Sequence, residues 1–262
     1  MAEHMNEYLR NLLLKDITHY IEKYILSSFM LYYAIKNLIL IIVEINFLSH
    51  MGNDWGQRSP GAMPEVVSYY LLTRYSLLFM FNAFNGSILL CSKRPQQAPQ
   101  NWKAIFIPTL SVCSVLLYNL TDYMPGWMTV NYTPPRLLFT ILASSCLLIV
   151  GGQLMSLIAV LYLRHSFAVF IQFRDVVMTG PYRYVRHPIY TGYTLLTIGL
   201  LLSNLCVAYA LISVMYIGLL AYRAHLEETM LAANDPTYRK NIERTGFLFP
   251  KLSGLTASQT PV

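Results

Sequence analysis

Four apolar runs, at about residues 24–48, 66–92, 104–122 and 136–163, are each long enough to cross a bilayer, and they limit the fold more than any other feature. An α-helix rises 1.5 Å per residue, so about 20 mostly apolar residues cover a hydrocarbon core of ~30 Å. A fifth run, Tyr190 to Tyr222, would measure about 50 Å as one helix, too long for a single crossing. Ser203-Asn204 near its middle marks a break, which predicts a hairpin of two shorter helices. The expected fold class is all-α: a polytopic integral membrane protein with about six transmembrane segments, the last two forming the C-terminal hairpin.

Charge placement gives the orientation. With 12% charged residues and a mean hydropathy of +0.43, the chain fits neither a disordered segment nor an ordinary cytosolic enzyme. Its net charge of +6 would also suit a nucleic-acid partner. However, every Lys and Arg except Lys36, Arg58, Arg74 and Arg136 falls before residue 24, within 93–103, within 164–188 or after Tyr222. That alternation puts both termini in the cytoplasm by the positive-inside rule, and the excess reads as topology rather than as a nucleic-acid surface. It also demands an even number of crossings after residue 188, which the hairpin supplies.

Four regions follow. Residues 1–23 are expected to form an interfacial amphipathic helix, with Leu9, Leu12, Leu13, Ile17, Tyr20 and Ile21 at helical spacing. They do not read as a cleavable signal, because charges interrupt every apolar run. Residues 24–162 carry the N-terminal transmembrane helices, 163–252 a core with the chemistry, and 253–262 a tail. Cys91, Cys113, Cys146 and Cys206 lie in or beside apolar runs with no CxxC and no His at ligand spacing, so neither a metal site nor a disulfide framework is expected. Asn131-Tyr132-Thr133 falls on the non-cytoplasmic side and would accept a glycan only in an endoplasmic reticulum.

Polar residues are rationed in such a chain, and two clusters stand out. The first is the 164–192 stretch, RHSFAVFIQFRDVVMTGPYRYVRHPIYTG. Gly180-Pro181 signals a turn, and Pro188 suits the first turn of a helix. Arg183, Arg186, His187 and Tyr190 then gather at a helix start, where unpaired amides favour a carboxylate or phosphate. A positive-inside loop with interfacial tyrosines fits the same residues. The second cluster is Arg223 with Glu227 and Glu228, of which Arg223 and Glu227 share a helix face at i,i+4. Taken alone, it fits an anchoring Arg with a solvated acidic turn better than a site.

Taken in order, GPYRYVRHPIYTG, an apolar hairpin and RAHLEE followed by a Tyr resemble the isoprenylcysteine carboxyl methyltransferase family, within a broader superfamily that includes phospholipid methyltransferases. The resemblance covers about Leu163 to Pro250. It implies an integral membrane enzyme that uses S-adenosylmethionine outside a Rossmann fold, and the chain has no GxGxxG. It also implies a cofactor pocket of Gln172, Arg174, Asp175, Val176, Val177, Tyr182, His187, Pro188, Ile189 and Tyr190, completed by Glu227 across the hairpin. Arg223 matches the family position that meets the substrate and is the candidate catalytic residue. His187 and helix-start amides would hold the methionine carboxylate, and Glu227 would accept from its ammonium or a ribose hydroxyl.

Methyl transfer from a sulfonium is an in-line displacement, so alignment and desolvation dominate. A carboxylate acceptor needs no general base at neutral pH, whereas an amine must first lose a proton. The favoured acceptor is thus the C-terminal carboxylate of an isoprenylcysteine, held by Arg223 and entering from the bilayer with its polar end at the cytoplasmic interface. A phospholipid or lipid-amine N-methyltransferase is the alternative, and a non-catalytic or transport protein on the same fold a third. Expected partners are that lipophilic acceptor and membrane lipids, in the endoplasmic reticulum membrane of a eukaryote or the inner membrane of a bacterium. Three departures from the family pattern fall at Asp235-Pro236, where Phe-Gly is usual, at Asn241, where a second Tyr is usual, and in the short Gln172–Arg174 loop. Lys36, Glu44 and Arg74 lie within apolar runs; Arg74 is expected to meet Glu44 between helices.

Overall fold

The computed structural model describes residues 2–52, 63–99, 101–114, 117–118, 124–129 and 137–251. Its elements are α1 (Ala2–Tyr20), a π-helical segment (Ile21–Leu26), α2 (Ser27–Gly52), α3 (Met63–Leu90), α4 (Lys103–Ser114), α5 (Gly126–Thr129), α6 (Leu138–Leu163), α7 (Pro188–Ser203), α8 (Val207–Asn234) and α9 (Pro236–Arg244). Among the described residues there is no strand, and an isolated parallel bridge pairs Val185 with Gly246. Arg58, Arg136, the Asn131-Tyr132-Thr133 sequon and the 253–262 tail lie outside the described residues.

Among the described residues, three helical stretches are long and apolar enough to cross a membrane: Leu9–His50, Phe139–Leu163 and Val207–Asn234. Lys103–Ser114 and Pro188–Ser203 are shorter apolar helices. Large apolar side chains cover their outer faces, with Ile35, Ile39 and Ile42 on α2, Leu147 and Leu154 on α6, and Leu211 and Val214 on α8 all exposed. Water would penalise such bands, whereas lipid tails accommodate them. The chain is an all-α membrane protein.

The interfacial helix expected over 1–23 and the span expected from 24 form one helical run from Ala2 to Gly52. No Pro or Gly interrupts the sequence before Gly52 to end it. The joint is the π segment, and its effect shows in which residues are buried. Thr18, Glu22, Ser27, Ala34 and Asn37 are all buried, and the step from Glu22 to Ser27 is five residues where an α-helix would take three or four. The extra residue keeps both halves of the rod facing inward on the same side.

Small residues set the packing beside the site. Along α6 and α7, Gly152 and Gly192 face each other so closely that a Cβ on either would strike the other helix's backbone. Ser145 Oγ donates to the Gly199 carbonyl at 2.7 Å across the same seam. Close small-residue contacts of this kind let membrane helices approach without a hydrophobic drive between them. On the other side, Gly86 of α3 accommodates Leu31 and the Ser27 carbonyl of α2. The α7–α8 turn falls at Asn204, whose φ of −136° and ψ of 72° leave the helical region. That turn returns α8 beside α7, so the start of α7 meets the last turns of α8.

Candidate active site

The 164–187 segment reaches α7 through a turn that only glycine fits. Gly180 has φ of +61°, and a Cβ there would run into the Tyr162 ring. The following 3-10 turn, Gly180–Arg183, buries Tyr182, and Pro188 starts α7 where its missing N–H costs nothing. The segment after α9 straps this corner down. Arg186 and His187 donate their backbone N–H groups to the Gly246 and Phe247 carbonyls at 2.9 and 3.3 Å, and Thr191 Oγ1 donates to Leu248 at 2.6 Å. Arg186 Nη1 reaches the carbonyls of Ile242 at 3.0 Å and Thr245 at 2.5 Å.

Across the hairpin, α8 presents Arg223, Glu227 and Glu228 to this corner. His187 Nε2 lies 3.1 Å from Glu228 Oε1, and Arg186 forms an ion pair with the same oxygen. The other ring nitrogen, His187 Nδ1, is 3.9 Å from Glu227 Oε2. Tyr190 donates its hydroxyl to Glu227 Oε1, which also receives Arg223 Nε at 3.3 Å. The Arg223 guanidinium sits 5.3 Å from the Tyr190 ring centre and donates through Nη2 to the Val169 carbonyl. His187 stacks on Tyr190 at 5.5 Å with an interplanar angle of 19°. The two sequence clusters are therefore one charge network, and its members fix each other's orientation.

The third wall is the loop from Phe167 to Val177, held mainly by charges. Glu22, 0% exposed, accepts the backbone N–H of Val169 at 2.9 Å and of Phe170 at 2.5 Å on Oε1. Its Oε2 meets Arg174 Nη2 at 2.6 Å. Arg174 also donates to the Lys93 carbonyl at 2.9 Å and the Phe167 carbonyl at 3.2 Å. Burial lowers the Arg174 pKa from its ordinary value, and the neighbouring Glu22 carboxylate opposes that shift. Asp175 points outward and accepts from Gln96 Nε2 at 2.7 Å.

These walls enclose a cavity of about 470 Å³, within the range of small-molecule sites. Of the twelve residues the sequence nominates, Gln172, Arg174, Asp175, Val176, Val177, Tyr182, His187, Ile189, Tyr190, Arg223 and Glu227 all line it. Pro188 does not; it is buried in the first turn of α7 and sets where that helix begins. Several lining groups are buried with no hydrogen-bond partner: both amide atoms of Gln172 and the hydroxyls of Tyr182 and Tyr238. Burial also raises the pKa of both tyrosines, so each keeps a proton to donate. Unspent donors and acceptors around one void are what a polar ligand satisfies.

Glu22 and Tyr238 are site residues that the sequence does not nominate, and Glu228 belongs to the second cluster without being given a place in the pocket. Glu228 stands in RAHLEE beside Glu227, and its partner Arg186 stands in GPYRYVRHP, so opposite charges in the two motifs were a readable signal. Nothing marks Glu22, which looks like a solvated charge on an interfacial helix. Lys36 and Arg74 line the same cavity toward the apolar part of α2 and α3, whereas Glu44 does not. The ion pair expected between Arg74 and Glu44 is absent among the described residues, and Arg74 Nε is buried without a partner.

Residues 145–233 match the family model of the isoprenylcysteine carboxyl methyltransferase (ICMT) family. The matched segment contains most of α6, the 164–187 loop, α7 and nearly all of α8, with all twelve nominated residues inside it. The resemblance carried by GPYRYVRHPIYTG and RAHLEE is thus a family match over these residues, and it supports a membrane methyltransferase. No curated protein matches the chain.

Proposed function

We propose that the protein is an S-adenosylmethionine-dependent methyltransferase acting on a lipophilic acceptor, with the C-terminal carboxylate of an isoprenylcysteine as its substrate. The observation that carries this reading is the buried Arg223, set between Tyr190, Glu227 and Val169 on the wall of a cavity that continues along apolar helix faces. A guanidinium so placed offers a fork to a carboxylate, and the apolar lining suits the attached chain.

The residues present fit S-adenosylmethionine. The unpartnered amide of Gln172 offers a donor and an acceptor to a base edge. Glu227 supplies an anion, and Tyr190 and Tyr182 supply aromatic surface for a cationic ligand. Bound there, S-adenosylmethionine supplies an electrophilic methyl group on a sulfonium. The chain's own work is then alignment. Arg223 holds and orients the acceptor oxygen, the His187–Glu228 contact fixes the imidazole, and the aromatic lining excludes water from the reacting pair. No proton has to move for a carboxylate acceptor.

A lipid-amine acceptor is the second reading, and one observation favours it. His187 lies between two carboxylates, 3.1 Å from Glu228 and 3.9 Å from Glu227, so its imidazole is placed to take the proton an amine must lose. We favour the carboxylate because Arg223 would repel an ammonium. The topology proposed with this function has six crossings, both termini in the cytoplasm and the charged end of the cavity facing it.

Binding and turnover separate the roles. Calorimetry with S-adenosylmethionine should show no binding for His187→Ala or Glu227→Ala, each still helical by circular dichroism. Arg223→Ala should lose turnover by about two orders of magnitude or more, a larger loss than the fall in cofactor affinity that follows from freeing the Val169 carbonyl and Glu227. Unchanged cofactor affinity in the first two variants contradicts the pocket. Equal loss of cofactor affinity and turnover in Arg223→Ala contradicts its substrate role.

A further inference from the structure

The N-terminal helix lies outside the segment that matches the family, yet it reaches into the cavity wall. Glu22 projects from the π-helical segment and accepts the amides of Val169 and Phe170, 147 and 148 residues away, while pairing with Arg174. Val169 is gripped from both edges: Glu22 takes its N–H, and Arg223 donates to its carbonyl. Three residues on, Gln172 is buried with neither amide atom bonded. The loop holding Gln172 is therefore fixed by one acid from the N-terminal helix and one base from α8. A carboxylate this buried is costly unless fully paired, and here both oxygens are used.

The π segment is what permits this placement. Regular α-helix from Thr18 through Asn37 would turn Glu22 about 120–140° away from the face that Ser27 and Ala34 bury. Single π turns inside α-helices are frequent at functional sites.

We infer that Glu22 is a positioning residue for the cofactor. It holds the Val169–Arg174 loop so that Gln172 faces the cavity, an inference that rests on the S-adenosylmethionine reading above. Glu22 touches no reacting atom, and its effect passes through Val169, Phe170 and Arg174.

The test uses the full chain in detergent, with S-adenosylmethionine affinity measured by calorimetry and the acceptor KM measured separately. Glu22→Gln turns a donor toward Arg174 and should raise the Kd for S-adenosylmethionine by about tenfold or more, leaving the acceptor KM near wild type. Glu22→Asp keeps the charge but withdraws it by one methylene, so a smaller rise is expected. It serves as the decisive variant where Glu22→Gln fails to fold. Wild-type cofactor affinity in the folded variant overturns the inference. So does an acceptor KM that rises in parallel, which would mark a general loosening of the cavity. A wild-type protein that binds no S-adenosylmethionine overturns the functional reading and this inference with it. Binding in wild type with no change in the variants overturns only the inference.

Discussion

Gln172 gives the site its clearest test at the scale of one residue. Its amide is buried and unpartnered, a state that costs about 1–3 kcal/mol in the ligand-free protein. Gln172→Leu removes that cost and should make the ligand-free protein more stable by about 1 kcal/mol, while weakening S-adenosylmethionine binding by roughly 2 kcal/mol. Thermal melts with and without cofactor read both quantities at once. Opposite signs support a ligand-facing amide, and a loss of stability without cofactor would make Gln172 an ordinary packing residue. Arg174 presents the contrasting case. The family resemblance nominates it beside Gln172, but its two terminal nitrogens are already committed to Glu22, Lys93 and Phe167, and only Nε is buried without a partner. It mainly holds the loop's shape, whereas both amide atoms of Gln172 are unspent.

At the scale of elements, the position of the site depends on how closely α6 and α7 approach. Gly192→Ala places a methyl against Ser156 and the Gly152 carbonyl, and overpacking of this kind costs about 1–3 kcal/mol. Because His187 immediately precedes α7 and Tyr190 stands on its first turn, the same substitution should also weaken cofactor binding. A lowered melting midpoint with unchanged affinity would show that the seam does not transmit to the site.

Much of this arrangement was legible in the sequence. Tyr190–Tyr222 was too long for one crossing, and Asn204 ends α7 at the break the sequence predicts. The family resemblance carried by GPYRYVRHPIYTG and RAHLEE implied that Glu227 completes the pocket across the hairpin, and Tyr190 does bond Glu227 there. The joint at Ile21–Leu26 was not legible. A π turn leaves no residue signature comparable to Pro or Gly, so the helix boundary expected near residue 23 is a change of pitch within one rod. Glu22 was hidden for a related reason. Its partners lie about 150 residues away, and a single acid beside Lys23 on an amphipathic helix reads as solvent-facing until tertiary packing is known.

For the whole molecule, the cavity joins the two halves of the chain. The family match ends short of the N-terminal helices, yet Tyr33, Lys36 and Arg74 line the same space as His187 and Arg223. Under the proposed function, acceptor recognition would be shared between the matched segment, at the methyl-transfer end, and the N-terminal helices, along the apolar end. The basic excess that the composition reports serves two purposes in this account: orientation across the membrane, and a charge network around the cavity mouth. The most direct test of the central claim is methyl transfer by the purified protein from methyl-labelled S-adenosylmethionine, offered N-acetyl-farnesylcysteine and phosphatidylethanolamine in parallel. Label is expected on farnesylcysteine and is lost in Arg223→Ala. Label confined to phosphatidylethanolamine, or to neither acceptor, would contradict that claim.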